Sequence, residues 1–180
     1  MKRTIIAFTG LAGAGKSTAA AHLVKSHGFE RVRFAGPLKA MMAALGCSTT
    51  EIDGDRKELP CELLGGKTPR WAMQTLGTEW GRQLIDSDLW IRAWRTAVDA
   101  SPVSVVVDDC RFPNEAEAIR AAGGVLVRIE RPGAGTASKH ESEQHELPAI
   151  TTISNAGSER ELFEKLDRFL LDFSWCDSAP

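Results

Sequence analysis

The chain has 180 residues, the length of one domain. Its 22 Lys and Arg face 24 Asp and Glu, a net charge of −2. That balance argues against a protein that coats nucleic acid or lies on an anionic membrane, because both require a positive excess. Hydrophobic residues make up 43% and charged residues 26%, the mix of a globular domain that can bury roughly 70% of its unfolded surface.

The four cysteines, Cys47, Cys61, Cys110 and Cys176, contain no Cys-x-x-Cys pair, and no histidine stands at zinc-ligand spacing from them. They read as reduced thiols, and the expected location is cytoplasmic. The apolar run that ends at Thr9 is too short for a signal peptide or a membrane span.

The first element is a buried strand from Thr4 to Thr9, β-branched and apolar, stopped by Gly10. Ala19, Ala20, Leu23 and Val24 then fall at helical spacing between Lys16 and His27, with Gly28 as the stop. His22 and His27 read as surface residues of that helix. Arg31 to Ala35 suits a short second strand. Pro37 is placed to begin a helix through Met41 and Met42 to Leu45. Residues 47–68 are polar, with three Gly and one Pro, and read as a loop holding at most a short helix. A long helix is expected from Arg70 to Ile85 and another from Leu89 to Ala100. Trp71, Trp80, Trp90 and Trp94 on these helices read mostly as core or interface.

Val103 to Val107 is the strongest strand in the chain. Pro113 opens a helix that Gly123 and Gly124 stop, and Val125 to Glu130 alternates as a strand. Residues 131–148 are polar and Gly-containing and read as a mobile excursion. Thr151 to Ser154 is a last strand, and Ser158 with Glu161 forms a capping box for a final amphipathic helix. Strands alternating with helices imply crossovers, hence a three-layer α/β fold with a central parallel sheet.

Gly10-Leu11-Ala12-Gly13-Ala14-Gly15-Lys16-Ser17 fits G-x-x-x-x-G-K-S/T in full, between an expected strand and an expected helix. Small residues let the backbone wrap a phosphate chain, and the N–H groups of Gly13 to Ser17 point at it with the positive end of the helix behind them. In such a cradle Lys16 reaches the β- and γ-phosphates of a nucleoside triphosphate and Ser17 meets Mg²⁺. Leu11 to Thr18 is the expected ATP-binding segment. Asp108 and Asp109 follow the strongest strand, at the end of the sheet where ligands bind. In a continuing strand they point to opposite faces, so one of them faces the metal; Asp109 is taken as that residue.

A cradle does not specify the reaction. Arg70, Arg82, Arg111 and Arg131 fall where a second anionic substrate would be gripped, and guanidinium forks suit phosphate oxygens. A phosphate acceptor is already a nucleophile near neutral pH, so positioning and charge neutralisation suffice. An acceptor hydroxyl, as in a shikimate- or gluconate-type kinase, would need a carboxylate base, and Asp109 could serve. A nucleotide-binding switch without transferase activity is the third possibility.

Four segments decide between these by resemblance. Phe34-Ala35-Gly36-Pro37-Leu38-Lys39 resembles F-A-D-P-L-K. Thr68-Pro69-Arg70 with Gln74, then Leu76-Gly77-Thr78-Glu79 and Gly81-Arg82 followed by Trp90, resembles T-P-R…Q-x-L-G-T-E-x-G-R. Asp109-Cys110-Arg111-Phe112-Pro113-Asn114-Glu115 resembles D-x-R-F-P-N-E, and His140-Glu141-Ser142-Glu143 resembles H-x-S-E. With the cradle, and in this order, they resemble the phage-type deoxynucleoside monophosphate kinases over roughly residues 4–145.

That resemblance implies a P-loop kinase of one domain, residues 1–180, with a helical acceptor region at 35–100 and a lid at 131–148. It implies transfer of the γ-phosphoryl group of ATP, with Mg²⁺, to a deoxynucleoside 5′-monophosphate. Carried onto this chain, Lys16, Arg70, Asp109, Arg111 and Arg131 are catalytic, and Ser17 and Asp109 hold the metal. Phe34, Lys39, Arg70, Gln74, Thr78, Glu79, Arg82, Trp90 and Arg111 meet the acceptor. Gly36 stands where the family pattern has Asp, so a carboxylate contact to the acceptor is missing there. The family also suggests a homodimer, with the tryptophan-bearing helices as its contact.

Overall fold

The structure, a computed structural model, describes residues 3–135 and 147–176. The elements are β1 (Ile5–Thr9), α1 (Lys16–His27), β2 (Glu30–Arg31), α2 (Gly36–Ala44), the single turn α3 (Thr49–Ile52), α4 (Pro69–Thr75), α5 (Leu89–Ala100), β3 (Val105–Val107), α6 (Pro113–Ala121), β4 (Val125–Glu130), β5 (Thr151–Ser154) and α7 (Glu159–Cys176). They group into two compact units, Met1–Val32 with Ala100–Pro180, and Arg33–Asp99.

The first unit is a five-stranded sheet in the order β2-β3-β1-β4-β5, and every pairing is parallel. A parallel sheet is covered on both faces, and β1 and β3 accordingly read as unbroken buried runs. Successive side chains alternate between the faces. Ile6, Phe8, Val106, Val127, Ile129 and Ile153 meet Ala19, Ala20 and Leu23 of α1 and Leu162 and Leu166 of α7. On the opposite face Ile119 of α6 closes over Ile5, both within van der Waals reach of Gly124. These are the three layers expected from the sequence.

Two strands are shorter than their composition suggests. β2 ends at Arg31, although Val32 N–H still reaches the Val106 carbonyl at 3.0 Å. The chain must then turn, with Gly36 N–H on the Arg33 carbonyl, to start α2 at Gly36. β3 begins at Val105 because Ser101 and Ser104 hydroxyls bond nearby backbone at the positions before it.

In the second unit, the 47–68 stretch holds α3 and two 3₁₀ turns, Asp55–Glu58 and Glu62–Leu64. Met42, Cys47 and Ile52 form its small core, with Leu64, Ala72, Met73 and Leu76 packed on them. The helix expected from 70 to 85 is α-helical only to Thr75 and continues as a π-helix, Leu76–Ile85. Trp90 gives the reason. Its indole N–H donates to the Gly77 carbonyl at 2.8 Å, and its ring lies so close to Gly81 that a β-carbon there would stand 2.6 Å from it. The tryptophan thus occupies a carbonyl of the helix ladder, and only glycine admits it.

Candidate active site

The glycine-rich loop of residues 10–15 joins β1 to α1 as its sequence requires. Gly15 is the residue before the first turn of α1, with φ 103°, and no side chain caps that turn. A substituent on Gly15 would also meet Asn155 Nδ2 at 2.3 Å. With glycine at the cap, the N-terminal turn of α1 offers backbone N–H groups and the positive end of the helix to an anion's oxygens. Lys16 Nζ donates to the carbonyls of Gly10 (2.6 Å) and Leu11 (2.8 Å), so it lies along the loop. The loop is also braced from below, where Asn155, following β5, donates to the Ala14 carbonyl at 2.9 Å in a buried bond.

Ser17 Oγ donates to Asp108 Oδ2 at 2.8 Å. The acidic residue at the cradle is thus Asp108 and not Asp109, and strand parity explains the correction. Val106 packs on the α1 side, and Asp108, two residues later, reaches Ser17 of α1 from that same side. The Asp108 side chain is only 4% exposed. Arg31 holds it with both arms, Nε at 3.0 Å from Oδ1 and Nη2 on Oδ2. A hydroxyl and a carboxylate are the hard oxygen donors that Mg²⁺ accepts, with water and phosphate oxygens completing its shell.

A cavity of about 440 Å³ opens beside the loop. Lys16, Arg111, Arg128 and Arg131 line it, with Glu130 the acid among them. The turn that carries Arg111 is fixed by Glu115, whose Oε2 accepts from the backbone N–H groups of Arg111 (2.7 Å) and Phe112 (3.0 Å). Cys110 also lines the cavity, but burial, with Glu115 and Asp109 nearby, pushes its thiol far above the usual range. It is no nucleophile at neutral pH. After β4 the chain returns to the cradle, with Gly135 N–H on the Ala12 carbonyl at 3.1 Å. Arg128 holds the Leu147 carbonyl at 2.9 Å. Most of the expected lid, His140 included, lies outside the described residues.

In the second unit the expected acceptor residues divide into two groups. Lys39 pairs with Asp53, with Arg33 at 3.3 Å from the same carboxylate. Arg70 pairs with Glu58, and Arg82 donates to the Ser87 carbonyl at 3.1 Å. Gln74 and Thr78 are half-buried and Glu79 exposed. Phe34 and Trp90 do not fit as substrate contacts. Phe34 is 2% exposed and stacks on Trp94, with ring centroids 4.8 Å apart, and Trp90 is 4% exposed with its N–H already donated. Both are committed to packing. Arg31 and Asn155 are the site residues that sequence reasoning passed over, while Asp108 was weighed there and Asp109 taken in its place. For Asp108 the signal was available in the parity of β3.

The model of the deoxynucleotide monophosphate kinase family matches residues 66–166. A protein of Acanthamoeba polyphaga mimivirus, provisionally named a deoxynucleotide monophosphate kinase, is 36% identical over 154 residues, covering 77% of this chain and 80% of that protein. The chain belongs to the deoxynucleotide monophosphate kinase family. It is therefore an ATP-using kinase. The deoxynucleoside-5′-monophosphate kinase of Escherichia phage T5 is 39% identical over a shorter stretch, 29% of this chain and 22% of that enzyme. Among solved structures, a Thermus thermophilus protein aligns with TM-score 0.53 at 18% identity, over 96% of this chain and 98% of its own. The shikimate kinase of Acinetobacter baumannii aligns with TM-score 0.50 at 16%, over 95% and 94%. At such identities the likeness extends to the fold alone. Among the described residues no helix is long and apolar enough to cross a membrane.

Proposed function

We propose that this kinase transfers the γ-phosphoryl group of ATP, with Mg²⁺, to the 5′-phosphate of a deoxynucleoside monophosphate. An acceptor phosphate oxygen forms the new bond to the γ-phosphorus, the bond to the β–γ bridging oxygen breaks, and ADP leaves with that electron pair. The observation that carries the reading is the cavity beside the cradle, where Lys16 and three arginines gather on a chain of net negative charge. Such a lining neutralises charge on transferring phosphoryl oxygens.

Residues 11–18 bind the triphosphate, and Lys16 lies within the loop that it would leave for the β- and γ-oxygens. Ser17 and Asp108 hold the metal, which supplies further charge neutralisation when bound. Arg111 and Arg131 face the transferring group. Lys39, Arg70, Gln74, Thr78, Glu79 and Arg82 read the acceptor nucleotide, and residues 131–148 act as the lid. Asp108 does not suit the proton-abstracting role that a hydroxyl acceptor would demand, because Ser17 and both arms of Arg31 already donate to it.

A panel of deoxynucleoside and ribonucleoside monophosphates, each incubated with Mg-ATP and resolved by anion-exchange chromatography, tests the reading. At least one deoxynucleoside diphosphate should accumulate with equimolar ADP. ATP consumption that ignores every monophosphate would overturn it.

A further inference from the structure

At the end of α1 remote from the cradle, two histidines and an aspartate converge. His22 Nε2 lies 2.6 Å from Asp167 Oδ1, and His27 Nε2 lies 2.8 Å from the same oxygen. All three atoms are within 4.8 Å of one another. The histidines belong to α1 and the aspartate to α7. The expectation that both histidines are plain surface residues fails, since the His22 side chain is only 10% exposed.

We propose that His22, His27 and Asp167 form a binding site for a zinc-class divalent cation, separate from the nucleotide site. Two imidazole nitrogens and one carboxylate oxygen make an N₂O donor set that leaves a fourth position for water. Ligand atoms around tetrahedral zinc lie about 3.3 Å apart, given metal–ligand distances near 2.0 Å. The two nitrogen–oxygen distances, 2.6 and 2.8 Å, would open toward that value as a metal replaces the hydrogen bonds.

The surroundings favour a cation. His22 is held in plane by Phe163, stacked at 4.2 Å between centroids. Ser26 Oγ lies 3.4 Å from His22 Nδ1, placed to accept a hydrogen bond from Nδ1–H when Nε2 turns its lone pair to a metal. His27 is the last residue of α1, where the helix carbonyls concentrate partial negative charge. Asp167 is half-exposed and His27 31% exposed, so an ion has a way in. Imidazole selects zinc, nickel, cobalt or copper over Mg²⁺, so a nucleotide's Mg²⁺ does not compete. Occupied, the site would fasten the tail of the helix that begins at the cradle to α7.

The test is calorimetric titration of the whole protein with Zn²⁺, in excess Mg²⁺ and a non-chelating reductant, beside His27→Gln, Asp167→Asn and a His140→Gln/His145→Gln control. One zinc per chain should bind to wild type and control alike. Each site variant, still folded by circular dichroism, should bind at least about tenfold to a hundredfold more weakly. Affinity should fall as the pH is lowered, since protons compete with the metal for its ligands. Co²⁺ should give a visible spectrum without a thiolate charge-transfer band. The proposal is overturned if wild type takes up no zinc, if His27→Gln and Asp167→Asn bind as wild type does, if the control loses binding, or if a thiolate band places the metal on cysteine.

Discussion

Ser17 Oγ and Asp108 Oδ2, 2.8 Å apart, tie the first turn of α1 to the end of β3. Asp108→Asn should therefore reduce phosphoryl transfer by on the order of 10²-fold or more and shift the Mg²⁺ dependence to higher concentration. Initial rates against Mg²⁺ check this. Asp109→Asn should leave the Mg²⁺ midpoint in place. Equal midpoint shifts in the two variants would return the metal role to Asp109.

Lys16→Ala should remove on the order of 10²-fold or more of the rate while leaving the melting temperature close to wild type. Lys16 bonds loop carbonyls at its half-exposed position and holds no part of the core. Single-turnover assays with thermal unfolding alongside separate the two effects. A variant retaining more than a tenth of the rate would contradict the cradle's role.

Asn155→Ala should weaken both fold and nucleotide affinity. The change strips the buried Ala14 carbonyl of its donor, a loss of about 1–3 kcal/mol, and frees the loop that must hold its N–H groups in register. Denaturant midpoints and ATP titration measure the two losses. A stable variant that binds ATP as tightly as wild type would show that the brace is dispensable.

Arg70→Lys should raise KM for the monophosphate by about tenfold or more, since a point charge replaces a bidentate fork. ATP binding should persist. Unchanged kinetics with every monophosphate would remove Arg70 from the acceptor site.

Asp53 sets part of the acid limit. Burial would raise its carboxyl, but the hydrogen bond and charge of Lys39, with Arg33 beside it, hold it below the usual carboxylate value. A pKa lower in the folded than in the unfolded chain adds stability above the unfolded value of about 3.9. That stability is lost as pH falls through the folded value. Asp53→Asn should thus be less stable than wild type at neutral pH, and the gap should close as pH falls below the unfolded value of about 3.9. Urea midpoints across that range report it, and parallel curves would argue against the pairing.

The parallel sheet was legible because β1, α1, α5, β4 and β5 each carry an unambiguous period and a Gly or Pro stop. The cradle was legible because its geometry is written in contiguous residues. What stayed hidden depended on partners distant in sequence. The π-helical turn needs Trp90 to claim the Gly77 carbonyl. Arg31 shows its role only once β2 lies beside β3, and Asn155 only once β5 ends under the loop. His22 and His27 are five apart, a spacing that does not share a helix face, and only Asp167 draws them together.

The bonds from Gly135 to Ala12 and from Arg128 to Leu147 fix where the 131–148 stretch departs and where it returns. Between two clamped ends, sequence and length are cheap to vary, since doubling a loop adds only about 0.6 kcal/mol of closure cost. Relatives with this sheet can therefore exchange that stretch as a cassette. Length and composition there can change while the cradle and its braces stay as they are.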